Sequence, residues 1–274
     1  MSGAPPRPTR LFLLGHPLAH SLSPRIHGAA LAAARIDATY ELLDTPPTAL
    51  ERTLDRLRRE GAAGNVTIPH KEAVRVACDV VSTTAARAGA VNTFWVEGNR
   101  LMGDNTDVAG FESAVVGLLG GAPRERLRVA LLGAGGAARA VLTAVERWPT
   151  ASVALYNRSS ARAERLAAEF PVVREVALSA DDAAAGADLV VNASPVGLYD
   201  EAHPVPLDAL APDGALLDLV YRPGVTAWVR AARAEGRRAA DGLDMLIEQG
   251  ALAFERWFGV TPDREAMRAA LRER

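Results

Sequence analysis

The fold of this 274-residue chain is decided by one stretch, Leu127-Arg128-Val129-Ala130-Leu131-Leu132-Gly133-Ala134-Gly135-Gly136-Ala137-Ala138. An apolar strand runs directly into a glycine-rich turn, which in turn opens a helix that continues to position 145. A second apolar run at 152–156 and a helical pattern at 159–168 follow. Together these segments predict a βαβ unit with parallel strands.

The same alternation of short apolar runs and helical patterns extends in both directions from this unit. Upstream, strands are predicted at 10–14, 40–43 and 64–67, with helices from 24 and near 48–59. Downstream, further strands are predicted at 172–176, 189–192 and 215–219. This rhythm is typical of an α/β protein with parallel sheets.

Two features divide the chain into parts. The segments 91–96 and 100–102, joined by Glu97-Gly98-Asn99, predict a hairpin, and a helix after Asp107 leads away from it. Helical spacing at 243–258 and 263–272 predicts two terminal helices, and we expect the first, which follows the second sheet, to return to the first domain. The predicted domains are therefore 1–108, 109–242 and the returning segment 243–274.

Composition narrows the class of protein. Hydrophobic residues make up 49% and charged residues 23%, with a net charge of −2, which fits a globular domain and excludes a fibre or a disordered chain. No basic stripe predicts nucleic-acid binding, and no apolar run reaches membrane-spanning length. With a single cysteine, Cys78, in an apolar stretch and no signal peptide in the first ten residues, we expect a cytoplasmic protein whose partner is a small molecule.

The glycine turn is the first candidate site. Its pattern, G-x-G-x-x-A with Ala138 in the third small position, lets backbone N–H groups approach a pyrophosphate at a helix N-terminus. The alternative is a plain tight turn. The complete strand, turn, helix and next strand favour dinucleotide binding.

The end of the next predicted strand bears on which dinucleotide is bound. A binder of unphosphorylated NAD is expected to place a carboxylate there, but this chain has Tyr156-Asn157-Arg158-Ser159, with Arg162 one turn later. Guanidinium and hydroxyl groups suit a 2′-phosphate, which favours NADP. The alternative is that Arg158 and Arg162 belong to a solvated helix face.

Lys71 is the only lysine among 31 basic Lys and Arg residues. Arginine supplies a fixed positive charge but stays protonated, so a position that keeps lysine is a candidate for proton exchange. Drift toward arginine with one surviving lysine is the alternative. The polar run Gly64-Asn65-Val66-Thr67-Ile68-Pro69-His70 just before Lys71 favours a site.

Asp107 and two serines complete the candidates drawn from the residues themselves. Asp107 would orient the Lys71 amine if the two lie together, although an aspartate before a helix is most often an N-cap. Ser21 and Ser23 stand two apart before a helix, a spacing that in an extended segment points both hydroxyls to one side, toward a substrate carboxylate. Ser23 as a simple N-cap is the alternative. The histidines do not fall at zinc-ligand spacing, so no metal site is predicted.

Several motifs in order along the chain resemble the shikimate dehydrogenase family. They cover nearly the whole sequence: Ser21-Leu22-Ser23-Pro24, Asn65-Val66-Thr67-Ile68-Pro69-His70-Lys71, Gly89-Ala90-Val91-Asn92-Thr93, Gly103-Asp104-Asn105-Thr106-Asp107, the turn at Gly133, Asn157-Arg158-Ser159, Asn192-Ala193-Ser194-Pro195-Val196-Gly197-Leu198, Asp218-Leu219-Val220-Tyr221-Arg222-Pro223 and Gly242-Leu243-Asp244-Met245-Leu246-Ile247-Glu248-Gln249-Gly250.

The resemblance implies an N-terminal α/β substrate domain, a Rossmann dinucleotide-binding domain and terminal helices packed on the former. It implies NADPH-dependent reduction of 3-dehydroshikimate to shikimate, a step of aromatic amino acid biosynthesis, with Lys71 and Asp107 as the catalytic pair. The implied substrate contacts are Ser21, Ser23, Asn65, Thr67, Asn92, Tyr221 and Gln249. The implied NADP contacts are Gly133, Ala134, Gly135, Gly136, Ala137, Asn157, Arg158, Ser159, Arg162, Ser194, Leu219 and Gly242.

Other interpretations stay open on sequence alone. Quinate and aminoshikimate dehydrogenases share the Lys and Asp pattern, although two serines at 21 and 23 favour shikimate. A methylenetetrahydrofolate dehydrogenase and a non-catalytic ligand sensor are further alternatives. Gln249 with the paired serines argues against the first, and intact Lys71 and Asp107 argue against the second. The chain is expected to be a monomer or homodimer.

Overall fold

The computed structural model describes residues 8–19, 21–222 and 224–272. These residues fall into two compact units. The first unit contains the described residues up to Asp107 together with those from Leu246 onward, and the second unit runs from Val108 to Met245.

The first unit is built on a mixed six-stranded sheet in the order β2-β1-β3-β5-β6-β4. Strand β1 pairs in parallel with β2 and β3, and β4 pairs in parallel with β6, whereas the hairpin strand β5 is antiparallel to both neighbours. The strands are β1 Arg10–Gly15, β2 Thr39–Asp44, β3 Ala63–Val66, β4 Val80–Val81, β5 Thr93–Glu97 and β6 Arg100–Asp104.

The helices of the first unit lie between the strands of this sheet and after them. Four lie between the strands, and the chain returns from Leu246 in two more. The helices are α1 Ser23–Ala34, α2 Leu50–Arg59, α3 Lys71–Ala77, α4 Thr83–Ala88, α10 Leu243–Phe258 and α11 Arg264–Arg272, with a 3-10 turn at Pro47–Ala49.

The returning segment is fixed by both polar and apolar contacts. The Trp257 indole N–H donates to the backbone oxygen of Phe94 in β5 at 3.2 Å, and Arg256 pairs with the buried carboxylate of Asp104 at 2.8 Å. Met267 of α11 is fully buried. Because these residues hold α10 against the sheet, Gln249 on that helix has a fixed position.

The second unit contains a parallel six-stranded sheet in the order β12-β11-β10-β7-β8-β9. The strands are β7 Arg128–Leu132, β8 Ser152–Tyr156, β9 Val173–Val176, β10 Leu189–Asn192, β11 Ala215–Asp218 and β12 Ala239–Ala240. The helices are α5 Asp107–Leu119, which enters this unit at Val108, α6 Gly136–Val145, α7 Ser160–Glu169, α8 Ala180–Ala184 and α9 Ala227–Ala234, with a 3-10 turn at Leu207–Ala209.

The sequence of strand β7 is a continuous apolar run because both of its faces are buried. Val129 and Leu131 pack into one buried cluster, while Ala130 and Leu132 pack into another. Successive side chains of a strand point to opposite faces, so both faces of this sheet are covered. The predicted α/β class is confirmed.

At the start of α1, the expected extended backbone and the alternative of a Ser23 N-cap are both wrong. The backbone of Leu22 is helical, not extended, because the chain turns at Leu18 and Ser21 before entering α1, so the spacing argument for Ser21 and Ser23 does not hold. Leu22, not Ser23, is the N-cap of α1. The Ser21 hydroxyl instead accepts a hydrogen bond from the Ser23 backbone N–H at 3.2 Å.

Cys78 is a packing residue, as its apolar surroundings predict. Burial, with a smaller effect of the neighbouring Asp79 carboxylate, raises the pKa of the Cys78 thiol to about 12. Its sulfur packs against Gly103, where a Cβ atom would lie 2.7 Å from it. Within the described residues, no helix is both long and apolar enough to cross a membrane.

Candidate active site

Lys71 and Asp107 lie together in the first unit. The Lys71 Nζ donates to Asp107 Oδ2 at 2.5 Å, and the two side chains are only 13% and 6% exposed. Lys71 is the first residue of α3 and Asp107 the first of α5, so two helix starts bring them together. The sequence predicted this pair, and the structure supplies the distance.

Asp107 does more than begin a helix. Its second oxygen, Oδ1, accepts from the Asn92 side-chain amide at 2.8 Å, so both carboxylate oxygens are bonded to side chains. Its backbone N–H donates to the Asn105 side-chain oxygen at 3.1 Å. The carboxylate is therefore held in one orientation, with Oδ2 toward the Lys71 ammonium.

Asn92 links the pair to the returning helix. Its Oδ1 accepts from the Thr106 backbone N–H at 2.7 Å, which fixes the amide so that Nδ2 faces Asp107. The same Nδ2 lies 3.2 Å from Gln249 Oε1 on α10. Gln249 is anchored in turn by its own Nε2, which donates to Leu246 O at 2.8 Å.

Asn65 and Thr67 extend this cluster along β3. Asn65 is buried within the strand, and its Nδ2 donates to the backbone oxygen of Asn92 at 3.3 Å. Thr67 follows the strand directly, with its backbone N–H bonded to Leu14 O at 2.8 Å. Ser21 and Ser23 precede or begin α1 in the same unit, Ser23 buried and Ser21 half-buried.

The chemistry available to this cluster is proton transfer and recognition of hydroxyl groups. A lysine beside a carboxylate provides a proton donor and acceptor, and amide and hydroxyl side chains provide directional hydrogen bonds. Among the described residues, no group of three or more His, Cys, Asp or Glu side chains is arranged to hold a metal ion.

The glycine turn of the second unit has the geometry that the motif predicts. Gly133 has φ +119°, and a Cβ atom there would lie 2.7 Å from the backbone oxygen of Ala193, so only glycine fits. Gly135 is the N-cap of α6, and the space around its missing side chain is open. A ligand can therefore approach the N–H groups of the first helical turn, which continues through Gly136 and Ala137.

The neighbouring strand ends level with this turn. Leu132 and Tyr156 are register partners, so Asn157, Arg158 and Ser159 follow β8 beside the glycine turn. The Asn157 amide donates to the Ser159 backbone oxygen at 3.0 Å, and the side chains of Arg158, Ser159 and Arg162 are exposed. Residues 157–162 include no carboxylate.

Three further predicted dinucleotide contacts lie at the same sheet edge. Asn192 is the register partner of both Leu132 and Asp218, so Ser194 and Leu219 come just after level strand ends. A Cβ at Gly242 would lie 2.3 Å from Leu219 O. Tyr221, predicted to contact substrate, follows β11 in the second unit, whereas the other predicted substrate residues belong to the first unit.

A buried carboxylate organises this edge. Asp218 accepts hydrogen bonds from Thr226 and Asn192 at 2.8 Å each and from the Val220 backbone at 3.1 Å. Asn192 in turn accepts from the Ser194 hydroxyl at 2.6 Å. Burial raises the pKa of Asp218, and the hydrogen bonds from Thr226, Asn192 and Val220 oppose that rise.

Both the N-terminal and the C-terminal parts of the chain match known protein families. Residues 13–94 match the family described as shikimate dehydrogenase substrate binding domain, and residues 242–272 match the shikimate 5'-dehydrogenase C-terminal domain. The shikimate dehydrogenase (NADP+) of Thermus thermophilus is 45% identical over 264 residues, which are 96% of this chain and 97% of that protein. This chain belongs to the shikimate dehydrogenase family.

Solved structures of similar proteins have the same fold as this chain. The structure of shikimate 5-dehydrogenase from Thermus thermophilus, in complex with NADP(H) and shikimate, is 44% identical with a TM-score of 0.85, covering 96% of this chain and 98% of that chain. The quinate dehydrogenase of Corynebacterium glutamicum, in complex with NAD, is 32% identical with a TM-score of 0.86, covering 96% and 98%. Similar proteins therefore differ in named substrate and in bound dinucleotide.

Sequence reasoning missed several residues that organise the site. Asp218 and Thr106 lie inside family motifs, so the motifs point to them but not to their roles. Tyr40, which bonds to Asn65, and His27, which stacks on Tyr40, carry no such signal, because a tyrosine in a strand and a histidine in a helix are typical of packing.

Proposed function

We propose that this chain catalyses the reversible NADPH-dependent reduction of 3-dehydroshikimate to shikimate. Residues 1–108 and 243–274 hold the substrate, and residues 109–242 hold the dinucleotide. One observation carries the proposal: a buried Lys71–Asp107 pair at 2.5 Å in a chain that is 45% identical, over 96% of its length, to a shikimate dehydrogenase (NADP+).

The two charged residues perform the proton transfer. NADPH, when bound, supplies the hydride that the ring ketone accepts. The ketone oxygen takes a proton from the Lys71 ammonium as negative charge develops on it, and in the oxidation direction the neutral amine removes the hydroxyl proton. Asp107 holds the ammonium, and Asn92 keeps the carboxylate from rotating away.

The predicted binding residues orient the substrate around this pair. Their hydroxyl and amide groups suit a small carbocycle with a carboxylate and several hydroxyl groups. They are Ser21, Ser23, Asn65, Thr67, Asn92, Tyr221 and Gln249.

The second unit fits NADP. The open space at Gly135 and the uncapped start of α6 suit a pyrophosphate, and Arg158 with Ser159 suits a 2′-phosphate. The remaining contacts proposed for NADP are Gly133, Ala134, Gly136, Ala137, Asn157, Arg162, Ser194, Leu219 and Gly242.

A substrate panel tests the proposal. The purified protein is assayed for oxidation of shikimate and quinate with NADP and with NAD, following nicotinamide reduction. The proposal expects the highest kcat/KM for shikimate with NADP. A folded protein that does not oxidise shikimate with either dinucleotide would refute it.

A second candidate, quinate oxidation with NAD, is supported by the similarity to the quinate dehydrogenase of Corynebacterium glutamicum. The same panel separates the two, because that activity would give the highest kcat/KM for quinate with NAD.

We further propose that the protein acts in the cytoplasm as a monomer or homodimer, and sedimentation of the purified protein would test the oligomeric state.

A further inference from the structure

A tyrosine outside the predicted site bonds to one of its members. The Tyr40 hydroxyl, on β2, donates to Asn65 Oδ1 on β3 at 2.8 Å. Strand β1 lies between them, with Leu11 beside Tyr40 and Leu13 beside Asn65. Residues two apart along a strand point to one face, so Tyr40 and Asn65 share a face of the sheet and the tyrosine reaches across β1.

The Tyr40 ring is held by aromatic neighbours. His27 of α1 stacks on it with centroids 4.3 Å apart and planes within 9°, and Trp257 of α10 lies 6.3 Å from it. Burial lowers the pKa of His27 to about 3, against a smaller opposing effect of the Asn65 side chain. Neutral imidazole therefore packs against the ring at working pH, and the direction of the Tyr40 hydroxyl is fixed by packing.

The contacts of Asn65 fix the directions of its side-chain oxygen and nitrogen. The oxygen is bonded by Tyr40, and the nitrogen donates to the backbone oxygen of Asn92 at 3.3 Å. An amide nitrogen carries two protons, so one remains that Asn65 can donate to an oxygen of a ligand. With its oxygen committed to Tyr40, Asn65 is a donor toward the ligand.

We propose that Tyr40 is a positioning residue, which holds the Asn65 amide so that its N–H is directed to a hydroxyl oxygen of the carbocyclic substrate. The inference rests on the proposed function, because that function makes Asn65 a substrate contact. Without the Tyr40 hydroxyl, the amide loses the shorter of the two bonds that distinguish its ends, and the 3.3 Å bond to the Asn92 backbone oxygen is left to oppose rotation of its oxygen toward the substrate.

The test is Tyr40→Phe, which keeps the stacked ring and removes only the hydroxyl. Losing the energy of one net hydrogen bond corresponds to a rise of about three- to tenfold in the KM for shikimate. We expect kcat, the KM for NADP and the melting temperature to stay close to wild type, a split that a general loss of structure would not give. Tyr199→Phe, an exposed tyrosine of the second unit, is the matched control and should leave the KM for shikimate unchanged.

A double-mutant cycle tests whether Tyr40 affects the KM for shikimate through Asn65. In an Asn65→Ala background, Tyr40→Phe should change the KM for shikimate by less than about twofold, because the residue it acts through is gone. Full additivity of the two substitutions would overturn the proposal. Asn65→Asp gives an independent check, since it keeps an acceptor for Tyr40 but loses the donor, and an unchanged KM there would also overturn it.

The outcome separates this inference from the proposed function. If wild-type protein oxidises shikimate and Tyr40→Phe does so with the same KM, the positioning role is wrong and the proposed function stands. If the folded wild-type protein does not oxidise shikimate, the proposed function is wrong and the positioning role falls with it.

Discussion

A lysine amine can exchange a proton with a substrate, whereas an arginine guanidinium stays protonated. We predict that Lys71→Arg lowers kcat for shikimate oxidation by about 10²- to 10⁴-fold, the range that a placed acid or base contributes. The positive charge beside Asp107 is kept, so the affinity for NADP, measured by fluorescence titration, should stay unchanged. Arg59→Lys, an exposed substitution between the same residue types, should have no effect. Near-normal turnover of Lys71→Arg would remove the proton-exchange role.

His27 makes the stability of the protein depend on pH. Its pKa is about 3 in the folded state, against 6.5 for the ordinary group, so between these values the unfolded chain binds a proton that the folded chain does not. The contribution of neutral His27 is therefore present above pH 6.5 and is lost as pH falls, by up to about 1.4 kcal/mol per pH unit.

The variant His27→Phe tests this, because it keeps an aromatic ring against Tyr40 but cannot titrate. Urea unfolding between about pH 7 and about pH 5 should show a shallower fall in the free energy of unfolding for His27→Phe than for wild type. His203→Gln, which changes an exposed histidine, should follow the wild-type curve. Equal slopes for wild type and His27→Phe would contradict the prediction.

At the level of the elements, the turn from β8 to α7 carries Arg158 and Ser159, the residues proposed to contact the 2′-phosphate of NADP. We predict that Arg158→Ala raises the KM for NADP by roughly 10- to 100-fold, the value of a hydrogen bond to a charged group, and leaves the KM for NAD nearly unchanged. Arg165→Ala, which removes an exposed arginine farther along the same helix, is the control. Equal effects on both dinucleotides would mean that Arg158 does not contact the 2′-phosphate.

The elements also show how far the sequence predicts the fold. Strands β8 and β10 and helix α10 begin and end where periodicity places them, because their apolar spacing is sustained and bounded by turn residues. Helices α3 and α4 and the two-residue strands β4 and β12 were not predicted. Such short elements are set by tertiary pairing, and a window of a few residues carries too little periodic signal to reveal them.

The site was predictable where chemistry is carried by unusual residue types. The single lysine stood out by composition, and Lys71 and Asp107, predicted as a pair, do lie together beside Asn92. The orientation of Ser21 and Ser23 was not predictable, because it depends on a helical backbone at Leu22. Tyr40 was not predictable because its role depends on a contact across an intervening strand.

Over the whole molecule, each unit has its own sheet and its own buried core, so each ligand should protect a different part of the chain. A ligand stabilises the segments it contacts against local opening, which slows amide hydrogen exchange there. We predict that NADP alone slows exchange at 133–138, 157–159 and 192–194, and that shikimate alone slows exchange at 65–71, 104–107 and 246–250.

This exchange experiment tests the assignment of roles to the two units without any substitution. Protection of 65–71 by NADP alone, together with protection of 133–138 by shikimate alone, would reverse the assignment. The peptide containing Tyr221 has separate value, since Tyr221 is the one predicted substrate residue in the second unit. Slower exchange of that peptide with shikimate would support the predicted contact of Tyr221 with substrate. Slower exchange with NADP alone would assign Tyr221 to the dinucleotide instead. That outcome is possible because Leu219, a predicted NADP contact, also follows β11.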